Sequence, residues 1–123
     1  MNVVIPFHNG DANLAIDLVK WIGQLGGIGD GKLMLICDSG TKQEHIDEII
    51  SIQSQSKSVA KFDGPVVIGW PRGSNYLFSK ALDGLSGKIN GPWLWLEPDA
   101  IPLNAGWLDS IRKEYASSGK RYM

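Results

Sequence analysis

Two carboxylates, Glu97 and Asp99, stand two residues apart directly after the apolar run Trp93-Leu94-Trp95-Leu96. On an extended chain, alternate side chains share a face, so the pair is expected to project together past Pro98. Two carboxylate oxygens at one strand end suit a hard divalent cation such as Mg²⁺ or Mn²⁺. Other chemistry-bearing residues also follow apolar runs: His8-Asn9 after Val3-Val4-Ile5, Asp38 after Leu33 to Cys37, and Arg72 to Asn75 after Val66 to Trp70. An ionised aspartate accepts an imide or hydroxyl proton. An arginine at a helix start can grip a phosphate with two N–H groups, and Lys80 is a second basic candidate further along. Each residue also has a plainer reading. Asn9 can be a turn residue, Asp38 can feed a following cap, and Arg72 can be a surface charge. His8 and His45 make no zinc set with these carboxylates.

The elements that must position these groups follow from periodicity. Val3–Ile5 reads as a buried strand stopped by Pro6. Asp11 is expected to cap a helix whose core stripe is Leu14, Leu18, Trp21, Ile22 and Leu25, and Gly26-Gly27 to end it. Leu33–Ile36 is the second strand. Thr41-Lys42-Gln43-Glu44 has the form of a capping box, opening a helix that buries Ile46, Ile49 and Ile50. The polar run Gln53 to Ser58 reads as a loop, and Val66–Ile68 as the third strand. Ser74 is expected to cap a helix with Leu77, Phe78, Ala81, Leu82 and Leu85 inward and Gly87 at its end. Trp93–Leu96 is the fourth strand. Asn104 is expected to cap a last helix carrying Leu108, Ile111 and Tyr115 on one face. The order βαβαβαβα with apolar strands predicts an α/β fold, a mostly parallel sheet with helices on both faces. Ligands of such sheets bind outside the carboxyl ends of the strands, where the candidate residues lie.

The totals set bounds. At 123 residues the chain is expected to be a single domain spanning 1–123. Twelve basic and thirteen acidic side chains nearly cancel, which argues against broad capture of nucleic acid. The five tryptophans are expected to be mostly core. Cys37, the one cysteine, sits in an apolar run and is expected to be a buried small hydrophobe. No apolar stretch approaches the ~20 residues of a membrane span. The N-terminus lacks the pattern of a secretory leader, and a cytoplasmic location is expected. The first strand is not followed by Gly-x-Gly-x-x-Gly, and no Gly-Lys-Ser/Thr loop occurs, which argues against dinucleotide-binding and P-loop domains. A flavodoxin-like domain would want a Ser/Thr/Gly-rich loop where His8-Asn9-Gly10-Asp11 stands.

Several short motifs together resemble the inverting family-two glycosyltransferases of the GT-A fold. Val-Val-Ile-Pro-Phe-His-Asn is similar to that family's Val-x-Ile-Pro-x-Tyr-Asn opening, with His8 at the aromatic position. Cys37-Asp38-Ser39-Gly40 is similar to Asp-Asp-Gly-Ser. Glu97-Pro98-Asp99, followed by Gly106-Trp107-Leu108, resembles Asp-x-Asp and the helix behind it, with glutamate in place of the first aspartate. The resemblance covers the donor-binding half of that fold. It implies that Pro6, His8 and Asn9 lie against the nucleoside, that Asp38 reads the base, and that Arg72, Asn75 and Lys80 lie near the diphosphate. Asp99 would be the main metal ligand, and Glu97 would serve the ribose or the metal. It further implies a UDP- or GDP-sugar donor, Mn²⁺ or Mg²⁺, and an acceptor that the motifs do not identify. In that family the catalytic base comes from a later segment. The chain is therefore expected to be truncated at its C-terminus relative to a whole enzyme, to act with a partner, or to be a non-catalytic nucleotide- or sugar-binding module. An apolar face of the last helix, through Trp107, Ile111 or Tyr115, is expected to invite self-association or a partner.

Overall fold

The computed structural model describes residues 1–66, 69, 71–85 and 87–120. Four strands and four helices alternate: β1 (Asn2–Phe7), α1 (Ala12–Gln24), β2 (Leu33–Asp38), α2 (Gln43–Ser51), β3 (Lys57–Phe62), α3 (Arg72–Leu85), β4 (Trp93–Trp95) and α4 (Trp107–Ser118). The strands form one parallel sheet in the order β3-β2-β1-β4. Strand alternation divides the core into two layers. Val3, Ile5, Phe7, Leu33, Leu35 and Cys37 face α1, α2 and Leu108 of α4. Val4 and Ile36 face Leu77, Ala81 and Leu85 of α3 on the opposite side. Among the described residues no helix is long and apolar enough to cross a membrane.

Pro6 does not stop β1; it pairs with Ile36 inside the strand. The backbone parity explains why it is tolerated. The N–H of Val3 donates to Lys32 O on the β2 side, whereas that of Asn2 donates to Pro92 O on the β4 side. Residue 6 shares the parity of residue 2, so its missing donor falls where β4 has already ended.

The third strand differs from the sequence expectation. Lys57–Phe62, read as the end of a polar loop, pairs along β2 from Leu33↔Lys57 to Asp38↔Phe62. As an edge strand it needs only partial burial, so its hydrophobic signal is weak, and its two lysines donate to the carbonyls of Ile52 and Thr41 on either side of α2. Val66 lies outside any strand and is exposed. The rest of the expected strand, Val67 and Ile68, and also Trp70, lie outside the described residues.

The helix faces are also turned. In α1 the buried residues are Ala12, Ala15, Ile16, Leu18, Val19 and Ile22, while Leu14 and Trp21 are 48% and 38% exposed. Ile50, Phe78 and Leu82 are likewise exposed. Small alanines carry the tight helix–sheet contact, so counting only large apolar residues rotates the stripe. Of the tryptophans described, Trp93, Trp95 and Trp107 are partly buried and pack against the core, as expected, while Trp21 is exposed. The indole N–H of Trp21 donates to Pro102 O at 2.7 Å and ties the loop after β4 to α1.

Several expected caps are not formed. Asp11 occupies the cap position of α1 without a side-chain capping bond, because its Oδ1 accepts the His8 N–H at 2.6 Å. The cap position of α2 is Lys42, and Thr41 instead donates its hydroxyl to Asp38 Oδ1 at 3.1 Å. Ser74 lies within α3, and α4 is capped at Gly106, not at Asn104. The C-terminus of α1 does follow expectation. Gly26 and Gly27 have φ of +95° and +79°, and the Gly27 N–H reaches back to Ile22 O at 2.9 Å.

Close packing of the turn after α2 against α1 yields a reversed sign for a common stabilising change. In an open helix, glycine to alanine gains about 1 kcal/mol. At Gly23 a Cβ would lie 2.4 Å from Ser54 Cβ, an atom that cannot move without its backbone. Gly23→Ala is expected to destabilise by about 1–3 kcal/mol, as overpacking does. Urea unfolding measures it, and an unchanged or raised midpoint would contradict this packing.

Candidate functional site

The sheet order places the site. β1, β2 and β3 run in one direction across the sheet, and the chain then crosses to the other side of β1 to form β4. Ligands of open parallel sheets enter the crevice at such a reversal, beyond the strand carboxyl ends. A cleft of about 50 Å³ lies there, lined by Pro6, Phe7, His8 and Asp11 after β1, Asp38 from β2, and Glu97 after β4. Gly69 and the first turns of α3, through Gly73, Ser74 and Leu77, close it.

Asp38 is the most enclosed polar residue of the cleft lining, at 5% exposure. Its Oδ1 accepts the Gly40 N–H and the Thr41 hydroxyl, both at 3.1 Å. Among the described residues Oδ2 accepts no hydrogen bond, so half of a buried carboxylate remains for a ligand. His8 is oriented by its own loop. The Gly10 N–H donates to Nδ1 at 2.8 Å, and the same nitrogen lies 3.3 Å from Asp11 Oδ1. Gly10 permits that closeness, since a Cβ there would lie 2.7 Å from the imidazole Cε1. Glu97 Oε1 accepts the Trp95 indole N–H at 2.6 Å. Three carboxylates and one imidazole line the cleft, with no lysine or arginine among the lining residues. Such a surface favours hydroxyl and N–H donors over bare phosphate.

The acidic pair does not stay extended. The Ala100 N–H donates to Glu97 O at 3.0 Å, so the chain turns through Pro98 and Asp99. Glu97 lines the cleft, whereas Asp99 is exposed on the turn and is not among the lining residues. Among the described residues no group of three or more His, Cys, Asp or Glu side chains is placed to hold a metal. One Glu97 oxygen is taken by the Trp95 indole, and Asp99 lies on the turn outside the cleft lining.

The other sequence candidates lie outside the cleft lining. Asn9 joins two loops: its Nδ2 donates to Gly40 O at 2.7 Å and its Oδ1 accepts the Lys42 N–H at 2.8 Å. Its amide thereby fixes the His8 and Asp38 loops relative to each other. Arg72 and Asn75 are exposed on the first turn of α3. Lys80 lies with Nζ 5.6 Å from the centre of the Tyr76 ring. Cys37 is buried, and burial pushes its thiol pKa up, which keeps it protonated and inert. Sequence reasoning missed Phe7, Gly69 and Leu77 as lining and treated Asp11 only as a cap, whereas Gly73 and Ser74 fall within the Arg72 to Asn75 segment it placed at a strand end. Phe7 ends β1, and Gly73, Ser74 and Leu77 lie in the first turns of α3.

No protein-family model and no curated protein matches the chain.

Proposed function

We propose that the cleft binds the nucleoside part of a nucleoside diphosphate sugar, and that the chain serves as the donor-binding unit of a glycosyltransferase of GT-A type. The observation that carries this reading is the buried Asp38 carboxylate, half satisfied by its own loop, at the reversal of the sheet. A carboxylate oxygen held there accepts the ring N–H of uracil or guanine. Glu97 and His8 Nε2 are within the same cleft to meet ribose or sugar hydroxyls. The diphosphate would extend toward the N-terminal turn of α3, where Arg72 stands exposed. Sugar transfer would break the bond between the anomeric carbon and the β-phosphate oxygen, releasing the nucleoside diphosphate. It would form a bond to an acceptor hydroxyl, whose proton passes to a base. No step is assigned to a cation.

A second reading, a nucleotide- or sugar-binding module without transfer, is favoured by the exposed position of Asp99 outside the cleft lining. The two are separated by donor hydrolysis and transfer assays alongside calorimetry with UDP and GDP. Nucleotide affinity is expected to be unchanged by Asp99→Asn, within about twofold, with or without Mn²⁺, since an exposed side chain outside the cleft loses no ligand contact. A Mn²⁺-dependent gain in affinity that Asp99→Asn abolishes would restore the metal-bridged arrangement implied by the motif.

A further inference from the structure

The turn that follows β2 commits most of its polar groups internally. Asp38 Oδ1 takes two donors, the Gly40 N–H and the Thr41 hydroxyl, each at 3.1 Å. Asp38 O accepts the Thr41 N–H at 3.2 Å. Gly40 O accepts the Asn9 side-chain amide, and Thr41 O accepts Lys61 Nζ, both at 2.7 Å. The Ser39 hydroxyl proton goes to Gly64 O at 2.8 Å. Among the described residues no donor reaches Asp38 Oδ2. The turn therefore offers the cleft one free carboxylate oxygen, on a side chain held in a single orientation by two donors and only 5% exposed.

We propose that Asp38 selects the nucleobase by the number of donors on its edge, taking a base with one ring N–H and refusing both guanine and cytosine. The proposal rests on the nucleoside reading of the cleft given above. Uracil presents a single ring N–H between two carbonyls, and hypoxanthine a single ring N–H beside one carbonyl. One acceptor oxygen satisfies either. Guanine adds an amino group next to its ring N–H. Two adjacent donors suit a carboxylate with both oxygens free, but Oδ1 is already filled by Gly40 and Thr41. The amino group is then left without a partner in a closed site, which costs affinity. Cytosine sets a ring nitrogen lone pair against the carboxylate, which carries no proton to give it. Ring size is a separate matter, since hypoxanthine and guanine have the same two rings and differ only by that amino group.

Calorimetry with UDP, IDP, GDP and CDP tests this. UDP is expected to bind about tenfold or more tightly than GDP and CDP, and IDP about fivefold or more tightly than GDP. Asp38→Asn gives a second readout. The Gly40 and Thr41 donors keep its oxygen at the Oδ1 position, so its NH₂ faces the cleft and can donate to the cytosine ring nitrogen. The variant is expected to reverse the order of UDP and CDP, with circular dichroism confirming that the fold is kept. A loss of structure at the turn would weaken all four nucleotides and reverse nothing. GDP binding as tightly as IDP overturns selection by donor number, and the nucleoside reading survives it if Asp38→Asn still weakens both. A preference for UDP over CDP unmoved by Asp38→Asn removes the assignment to Asp38. Binding of none of the four overturns the selection and the nucleoside reading together.

Discussion

Asp38→Asn is expected to weaken UDP and GDP binding by about 10- to 100-fold, with little change in folding stability. A hydrogen bond to a charged group contributes about 1.5–3 kcal/mol, and each 1.4 kcal/mol is tenfold in affinity. Within Asp38, Oδ1 already holds the Gly40 amide and the Thr41 hydroxyl. These two donors fix the orientation of an asparagine introduced there: its oxygen takes the place of Oδ1, and its NH₂ takes the place of Oδ2. The local turn is kept, but a donor now confronts the ligand N–H where an acceptor stood. Calorimetry gives the affinity and thermal unfolding gives the stability. An unchanged affinity would show that the nucleotide does not use this carboxylate. A joint loss of binding and stability would mean that Asp38 serves the turn alone.

Leu35→Ala is expected to cost about 2–5 kcal/mol of unfolding free energy, the range for removing a buried leucine side chain. Leu35 is fully buried, and its strand partners are Ile5 in β1 and Val59 in β3. The sheet is therefore closed around it, and the neighbouring strands cannot collapse into the cavity. Against the 5–15 kcal/mol typical of a domain, this loss is large. Leu14→Ala is the matched control. The side chain is 48% exposed on the outer face of α1, and the change is expected to stay within about 0.5 kcal/mol. Urea unfolding of the two variants also tests the α1 face. Equal costs would return Leu14 to the core stripe read from spacing alone.

The apolar runs of β1, β2 and β4 were legible because buried parallel strands need apolar residues on both faces. The amphipathic periods of the helices were legible because one face must be covered. The carboxyl-end rule also directed attention to His8-Asn9, Asp38-Ser39, Trp70 to Asn75 and Glu97 to Asp99; of these, His8, Asp38, Gly73, Ser74 and Glu97 line the cleft, whereas Asn9, Arg72, Asn75 and Asp99 do not. Other features required the fold. Lys57–Phe62 becomes a strand because β2 offers a free edge and partial burial suffices there, a condition local sequence cannot express. Which face of α1 is buried depends on how closely Ala12 and Ala15 approach the sheet, so the large residues alone mislead. The turn at Glu97-Pro98-Asp99, closed by the Ala100 N–H on Glu97 O, bends a segment whose spacing suits an extended chain. Sequence by itself determined the α/β class and the strand ends where polar chemistry gathers, because both follow from local periodicity. Tertiary structure decided the strand order and the cleft membership, because each depends on which distant segment stands alongside.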